Sequence, residues 1–87
     1  MKYRIEFLTA AARQIRKLPP DARRRIIAAI SALASNPRPV GARKLIGEEM
    51  AWRIRIGDYR VIYDIIDQTL TITIVRAAHR SEAYNRR

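Results

Sequence analysis

Over residues 2–7 polar and apolar side chains alternate, with Tyr3, Ile5 and Phe7 on one side of the chain and Lys2, Arg4 and Glu6 on the other. A period of two predicts a half-buried strand. From Thr9 the period lengthens. In TAAARQIRKL, Ala12, Ile15 and Leu18 make an apolar stripe at helical spacing, with Thr9 placed to cap the start and Pro19-Pro20 to end it. Asp21 is a good N-cap for a second helix that runs to about Ser35 and carries Ile26, Ile27, Ile30, Leu33 and Ala34. NPRPVG, residues 36–41, reads as a loop from its proline and glycine, and RKLIGEEMA is too irregular to give an element.

Alternation returns in WRIRIGDYRVIYDI, residues 52–65, which reads as two strands joined at Gly57-Asp58. In TLTITIV, residues 69–75, Leu70, Ile72 and Ile74 alternate with Thr71 and Thr73, and Asp67-Gln68 supplies a turn before it. The segment after Arg76, AAHRSEAYNRR, is either a short helical turn or an extended tail. These elements predict one α+β domain over residues 1–87, a two-helix hairpin packed on one face of a four-stranded antiparallel sheet. A sheet this small needs such a cover to be stable.

Register gives the pattern its chemical content. A two-residue loop at Gly57-Asp58 sets Trp52 opposite Tyr63, Ile54 opposite Val61 and Arg55 opposite Arg60. Extended through the next hairpin, the same logic sets Asp64 opposite Thr71 and Ile62 opposite Thr73. One face then collects Arg53, Arg55, Arg60, Ile62, Asp64, Thr71, Thr73 and Val75. The other collects Ile54, Ile56, Val61, Tyr63, Ile65, Leu70, Ile72 and Ile74, and is the core face against the helices. A loop of odd length would reverse Arg60, so the assignment rests on that turn. Like charges directly opposed across strands destabilise by roughly 0.2–1 kcal/mol per pair. A bound anion reverses that sign.

Charge strengthens the case for an anion. The chain has 18 basic and 8 acidic residues, for a net charge of +10, and 15 of the 18 are arginine. Guanidinium is a planar, permanently charged fork matched to phosphate oxygens, which points to nucleic acid. The excess is spread along the chain, so the folded body itself is cationic. Asp58 and Asp64 are the counterions that a purely solvated arginine face would use.

Length and composition exclude other classes. At 87 residues one small core is available. There is no cysteine for disulfides or thiolate metal sites, which favours a reducing, cytoplasmic setting. The longest purely apolar run is IIAAI, residues 26–30, far short of the ~20 residues of a membrane span, and MKYRIEF is no signal peptide.

Other residues carry two readings. Arg23, Arg24 and Arg25 are either solvated surface or an RNA-docking patch at the start of the second helix, where the helix dipole disfavours them. Trp52 and Tyr63 read as core packing rather than base-stacking platforms. His79, taken alone, fits a structural and a functional role equally.

The order of these elements, with LPPDARRRIIAAI, NPRPVGARKLIG, WRIRIGDYRVIYDI and VRAAHRSEAY in turn, resembles the RelE/ParE superfamily of bacterial toxins over nearly the whole chain. The combination of R-I-x-x-G-D-Y-R-V-I-Y with H-R-x-E-x-Y carries the likeness. Resemblance to the RelE branch implies an mRNA interferase, an endoribonuclease that cuts messenger RNA in the ribosomal A site. Carried over by position, it implies catalytic roles for Arg53, Arg55, Arg60, Arg80 and Tyr84, with His79 matching a histidine of some relatives and competing with Arg80 for one place.

No cluster of Asp, Glu and His at ligand spacing is visible, so the expected reaction needs no metal or other cofactor. The RNA's own 2′-hydroxyl attacks the adjacent phosphate and leaves a 2′,3′-cyclic phosphate and a 5′-hydroxyl. Relatives often carry lysine where this chain has Arg53 and Arg55, and arginine does not give up its proton. Tyr84, shifted down by surrounding guanidiniums, is the first candidate for general base and neutral His79 the second. The resemblance also implies a cognate acidic antitoxin as partner, besides the ribosome and mRNA. Two rival readings remain: a ParE-like inhibitor of DNA gyrase without nuclease activity, and an RNA-binding domain that does no chemistry.

Overall fold

The alternation at the N-terminus becomes β1 (Arg4–Phe7), and Leu8, in extended conformation, leads straight into α1 (Thr9–Arg16). Thr9 is therefore the first helical residue, and Leu8 holds the cap position assigned to it from sequence. The next helix, α2 (Pro20–Leu33), starts one residue before Asp21, because a proline's fixed φ and missing N–H suit the first position of a helix. Asp21 then sits in the first turn, where the helix dipole favours a carboxylate. The remaining strands are β2 (Arg43–Lys44), β3 (Ala51–Ile56), β4 (Tyr59–Ile66) and β5 (Thr71–His79). This is a computed structural model, and it describes residues 2–79.

The sheet corrects the sequence expectation in two respects. It has five strands in the order β1-β5-β4-β3-β2, not four, and it is mixed, because β1 runs parallel to β5 while the other pairs are antiparallel. The connection that leaves β1 passes through both helices and is long enough to return in parallel, which a tight hairpin cannot do. The fifth strand, β2, is two residues long and comes from the segment that carried no periodic signal.

At the first hairpin the register is the predicted one: Trp52 faces Tyr63, Ile54 faces Val61 and Arg55 faces Arg60. Gly57 has φ +60 while Asp58 stays at negative φ, the pattern of a type II′ turn that matches strand twist. The second hairpin departs from prediction. Its turn takes four residues, a 3₁₀ segment Asp67–Thr69 followed by Leu70 at φ 49, so Asp64 faces Thr73 rather than Thr71. The slip is two residues, so the side chains from Thr71 to Ile74 keep their faces. Leu70, expected in the core, instead forms that turn, and its carbonyl accepts the Arg4 N–H at 2.7 Å.

The core lies between the helices and one face of the sheet. Ala11 and Ile15 of α1 and Ile26, Ile30 and Leu33 of α2 meet Ile54, Val61, Tyr63, Ile65, Ile72, Ile74 and Ala77. Ala12 and Leu18 are only half-buried and Ile27 is exposed, a small rotation from the predicted stripes. Tyr63 is fully buried and donates its hydroxyl to the Pro37 carbonyl at 2.7 Å, which ties the loop after α2 to the sheet. Burial pushes its phenol up to about 12, against a small opposing pull from Arg38.

The arginine run at the start of α2 divides into three separate contacts. Arg23 donates from Nη1 to the carbonyls of Arg16 and Leu18 at 3.2 and 3.1 Å, satisfying the end of α1. Arg24 pairs with Asp21. Arg25 lies against the hairpin turn, where a Cβ on Gly57 would collide with its guanidinium.

Candidate functional site

Residues directly opposed in adjacent strands project to the same face of a sheet, so the register assigns the sides. Arg43 faces Arg53 across β2 and β3, Arg53 faces Ile62, and Ile62 faces Arg76 across β4 and β5. Beside this row lies a second, in which Arg55 faces Arg60 and Arg60 faces Ala78. Both rows sit on the face turned away from the helices. The structure thus brings Arg53, Arg55 and Arg60 together as the alternation predicts. Arg55 is exposed, and Arg53 and Arg60 are half-buried.

Arg76 joins them, and strict alternation misses it. Counting by twos from Ile72 and Ile74 sends Arg76 to the core. The register shifts between Ile62 and Tyr63, because β5 carries one extra residue, Val75, and this bulge turns Arg76 to the cationic side. From there Ala77 points inward and is 2% exposed. An arginine at an expected core position, followed by two alanines, is the sequence signal that could have exposed the bulge. The Nε atoms of both Arg60 and Arg76 are buried, so their stems lie along the sheet.

The bulge depends on α1. Ala77 donates its backbone N–H to Gln14 Oε1 at 2.8 Å, a side-chain partner for a buried donor beside the irregular step. Gln14→Leu should therefore lower unfolding free energy by about 2 kcal/mol, the penalty of stranding a buried N–H. Urea titration of the two proteins measures it through the shift in midpoint at constant slope.

His79 goes the other way. It faces Tyr59 across β4 and β5, and the rings make an edge contact with centroids 5.5 Å apart and planes at 86°. Tyr59 shares the side of Val61 and Tyr63, so His79 lies on the helix side of the sheet. There it borders a recess of about 270 Å³ with Gln14, Lys17 and Leu18. It does not converge with the arginines. Arg80 and Tyr84 lie outside the described residues.

Asp64 shares the face of Arg60 and Ile62, and its carboxyl is pushed above the usual range, first by burial and then by the charge of Glu48. Asp67 is held well away, at the rim beside Trp52. It accepts from the Tyr3 hydroxyl at 2.6 Å and from Arg38 at 3.1 Å, and these two bonds hold its carboxyl below the usual range. Arg38 in turn lies 5.3 Å above the Trp52 ring, which confirms Trp52 as a packing residue.

Among the described residues no group of three or more His, Cys, Asp and Glu is placed to hold a metal ion. No described helix is long and apolar enough to cross a membrane. Chemically, the two rows hold five planar, permanently charged guanidiniums, and none of these five accepts a proton at neutral pH.

A family model described as "ParE toxin of type II toxin-antitoxin system, parDE" matches residues 5–84. The chain is 36% identical over 91 residues to Toxin RelG of Mycobacterium tuberculosis, covering 99% of this chain and 100% of that protein. Its fold is similar to the toxin-antitoxin complex RelBE2 from Mycobacterium tuberculosis, with TM-score 0.79 and 32% identity over 92% of this chain and 100% of that one. It is also similar to the archaeal RelE-RelB complex from Pyrococcus horikoshii OT3, with TM-score 0.81 and 29% identity over 92% and 97% of the two chains.

Proposed function

The chain belongs to the ParE toxin family of type II toxin-antitoxin systems, within the RelE/ParE superfamily, and on that premise we propose that it is a ribosome-dependent endoribonuclease that cuts mRNA in the A site. One observation carries the proposal. Arg53, Arg55, Arg60 and Arg76 stand on a single face of the sheet in spite of their mutual repulsion, Arg55 and Arg60 directly opposed. A phosphate turns that repulsion into binding.

Cleavage proceeds without a metal. The 2′-hydroxyl of the nucleotide before the scissile bond loses its proton to a base, and its oxygen attacks the adjacent phosphorus. Negative charge grows on the non-bridging oxygens, where Arg53, Arg55, Arg60 and Arg76 hold it. The P–O5′ bond then breaks, leaving a 2′,3′-cyclic phosphate on one fragment and, after protonation, a 5′-hydroxyl on the other. Arginine cannot serve as base. Tyr84 takes that role, and Arg80 stabilises the departing oxygen. His79, on the helix side of the sheet, is a positioning residue at most.

The partner that silences the toxin is a cognate acidic antitoxin, a reading supported by the +10 charge and by the RelBE2 and RelE-RelB complexes of other toxins. The family model carries the ParE name, and that observation sustains the gyrase reading as the alternative. A translation extract programmed with a defined message separates the two. Discrete fragments that disappear when the antitoxin is added support the nuclease, whereas an intact message together with stalled purified gyrase overturns it.

A further inference from the structure

The cationic face extends past the residues that the cleavage reaction needs. Arg43 heads the transverse row Arg43, Arg53, Ile62, Arg76, whose ends are three strand spacings or roughly 15 Å apart. Arg43 thus stands at the margin of the face, one strand beyond Arg53. Arg43 is exposed, and it belongs to a two-residue edge strand that sets it opposite Arg53, a like-charge neighbour. The backbone holds it there: Ala42 donates to the Pro39 carbonyl at 2.9 Å before β2, and Leu45 donates to the Ala51 carbonyl at 2.9 Å after it.

A groove of about 370 Å³ opens at this edge, lined by Val40, Gly41, Arg43, Arg53, Ile54 and Arg55. Gly41, at φ +95, has open space where a side chain would stand, so a ligand backbone can pass over it. The three guanidiniums hang from positions about 5 Å apart across the strands and about 7 Å apart along β3. Among its described lining residues the groove has charge but no aromatic ring and no side-chain amide for reading a base edge. Lys44, the next residue, faces Trp52 and therefore points to the opposite side of the sheet.

We infer that the Arg43 groove is a second phosphate site, which holds the phosphodiester next to the scissile one in a single-stranded RNA without reading its sequence. Arg53 and Arg55 are shared between the two sites, and Arg43 belongs to the outer one alone. The inference takes its substrate from the ribonuclease reading and adds to it a backbone path that leaves the sheet over β2.

The test is direct binding of a short end-labelled RNA to the free protein, followed by fluorescence anisotropy between about 50 and 200 mM salt. Removing one phosphate contact from a single strand flattens the dependence of log K on log salt by about 0.7. Arg43→Ala should show that flattening with an unchanged thermal midpoint, Arg43→Lys should restore the wild-type slope, and Lys44→Ala should keep it throughout. In cleavage assays Arg43→Ala should raise the message concentration for half-maximal rate several-fold and leave the saturated rate alone. An Arg43→Ala slope equal to wild type, or equal losses from Arg43→Ala and Lys44→Ala, overturns the inference. A flattened slope in a protein that cuts no message sustains the phosphate site and removes the ribonuclease reading instead.

Discussion

Arg60→Ala should slow message cleavage by about 100- to 1,000-fold, the usual loss when one preorganised donor to a developing oxyanion is removed. Arg60 is central in the cationic face: it opposes Arg55 on one side and Ala78 on the other, and its Nε is buried. Stability should change far less. Relief of the opposition to Arg55, roughly 0.2–1 kcal/mol, offsets part of the packing lost with the buried stem, so the urea midpoint should move little. Activity lost while stability nearly holds is the signature of a group kept for catalysis. Arg60→Lys should recover only part of the rate, because an ammonium is a point charge and cannot span two phosphate oxygens. Single-turnover cleavage on programmed ribosomes, with urea titration of the same preparations, checks both halves.

The second large effect concerns the base. Tyr84→Phe should reduce the rate by about 100- to 10,000-fold, the range for loss of general base catalysis. His79→Ala should stay within a few-fold of wild type, since His79 stands against Tyr59 on the helix side, away from the phosphate. If Tyr84→Phe cuts at the wild-type rate and His79→Ala does not, the two roles are exchanged.

The arginine face was legible in the sequence for a physical reason. A two-residue turn with glycine at its first position fixes hairpin register within a few residues, and side-chain alternation then assigns Arg53, Arg55 and Arg60 to a side without further knowledge. The helix pair and most of its buried stripe were legible on similar grounds, because prolines stop the first helix and start the second. What escaped depends on contacts between distant segments. The parallel pairing of β1 with β5 joins residues some 67 positions apart, from Arg4 to Thr71, and nothing local announces it. The strand β2 is two residues in a segment without period, ordered by its partner β3.

Arg76 and His79 illustrate a different limit. Both sit beyond the Val75 bulge, and one inserted residue exchanges the two faces for everything that follows. Alternation carried blindly past Ile74 buries Arg76 and sends His79 outward, the reverse of the observed arrangement. The bulge is stabilised by Gln14, a polar residue on a helix that sequence reading had no reason to connect with the end of β5. The arginine run at the start of α2 shows the same dependence on tertiary partners. Its members look equivalent in sequence and make three unrelated contacts in the fold.

The central claim is that this arginine face promotes attack by the RNA's own 2′-oxygen. A programmed ribosome bearing a message with a single 2′-deoxynucleotide at the cleaved position, assayed in excess chelator, tests it most directly. The account predicts that the all-ribose message is cut to a fragment ending in a 2′,3′-cyclic phosphate, and that the deoxy message stays whole at that position. Cutting of the deoxy message at an equal rate, or loss of all cleavage on adding the chelator, would contradict it.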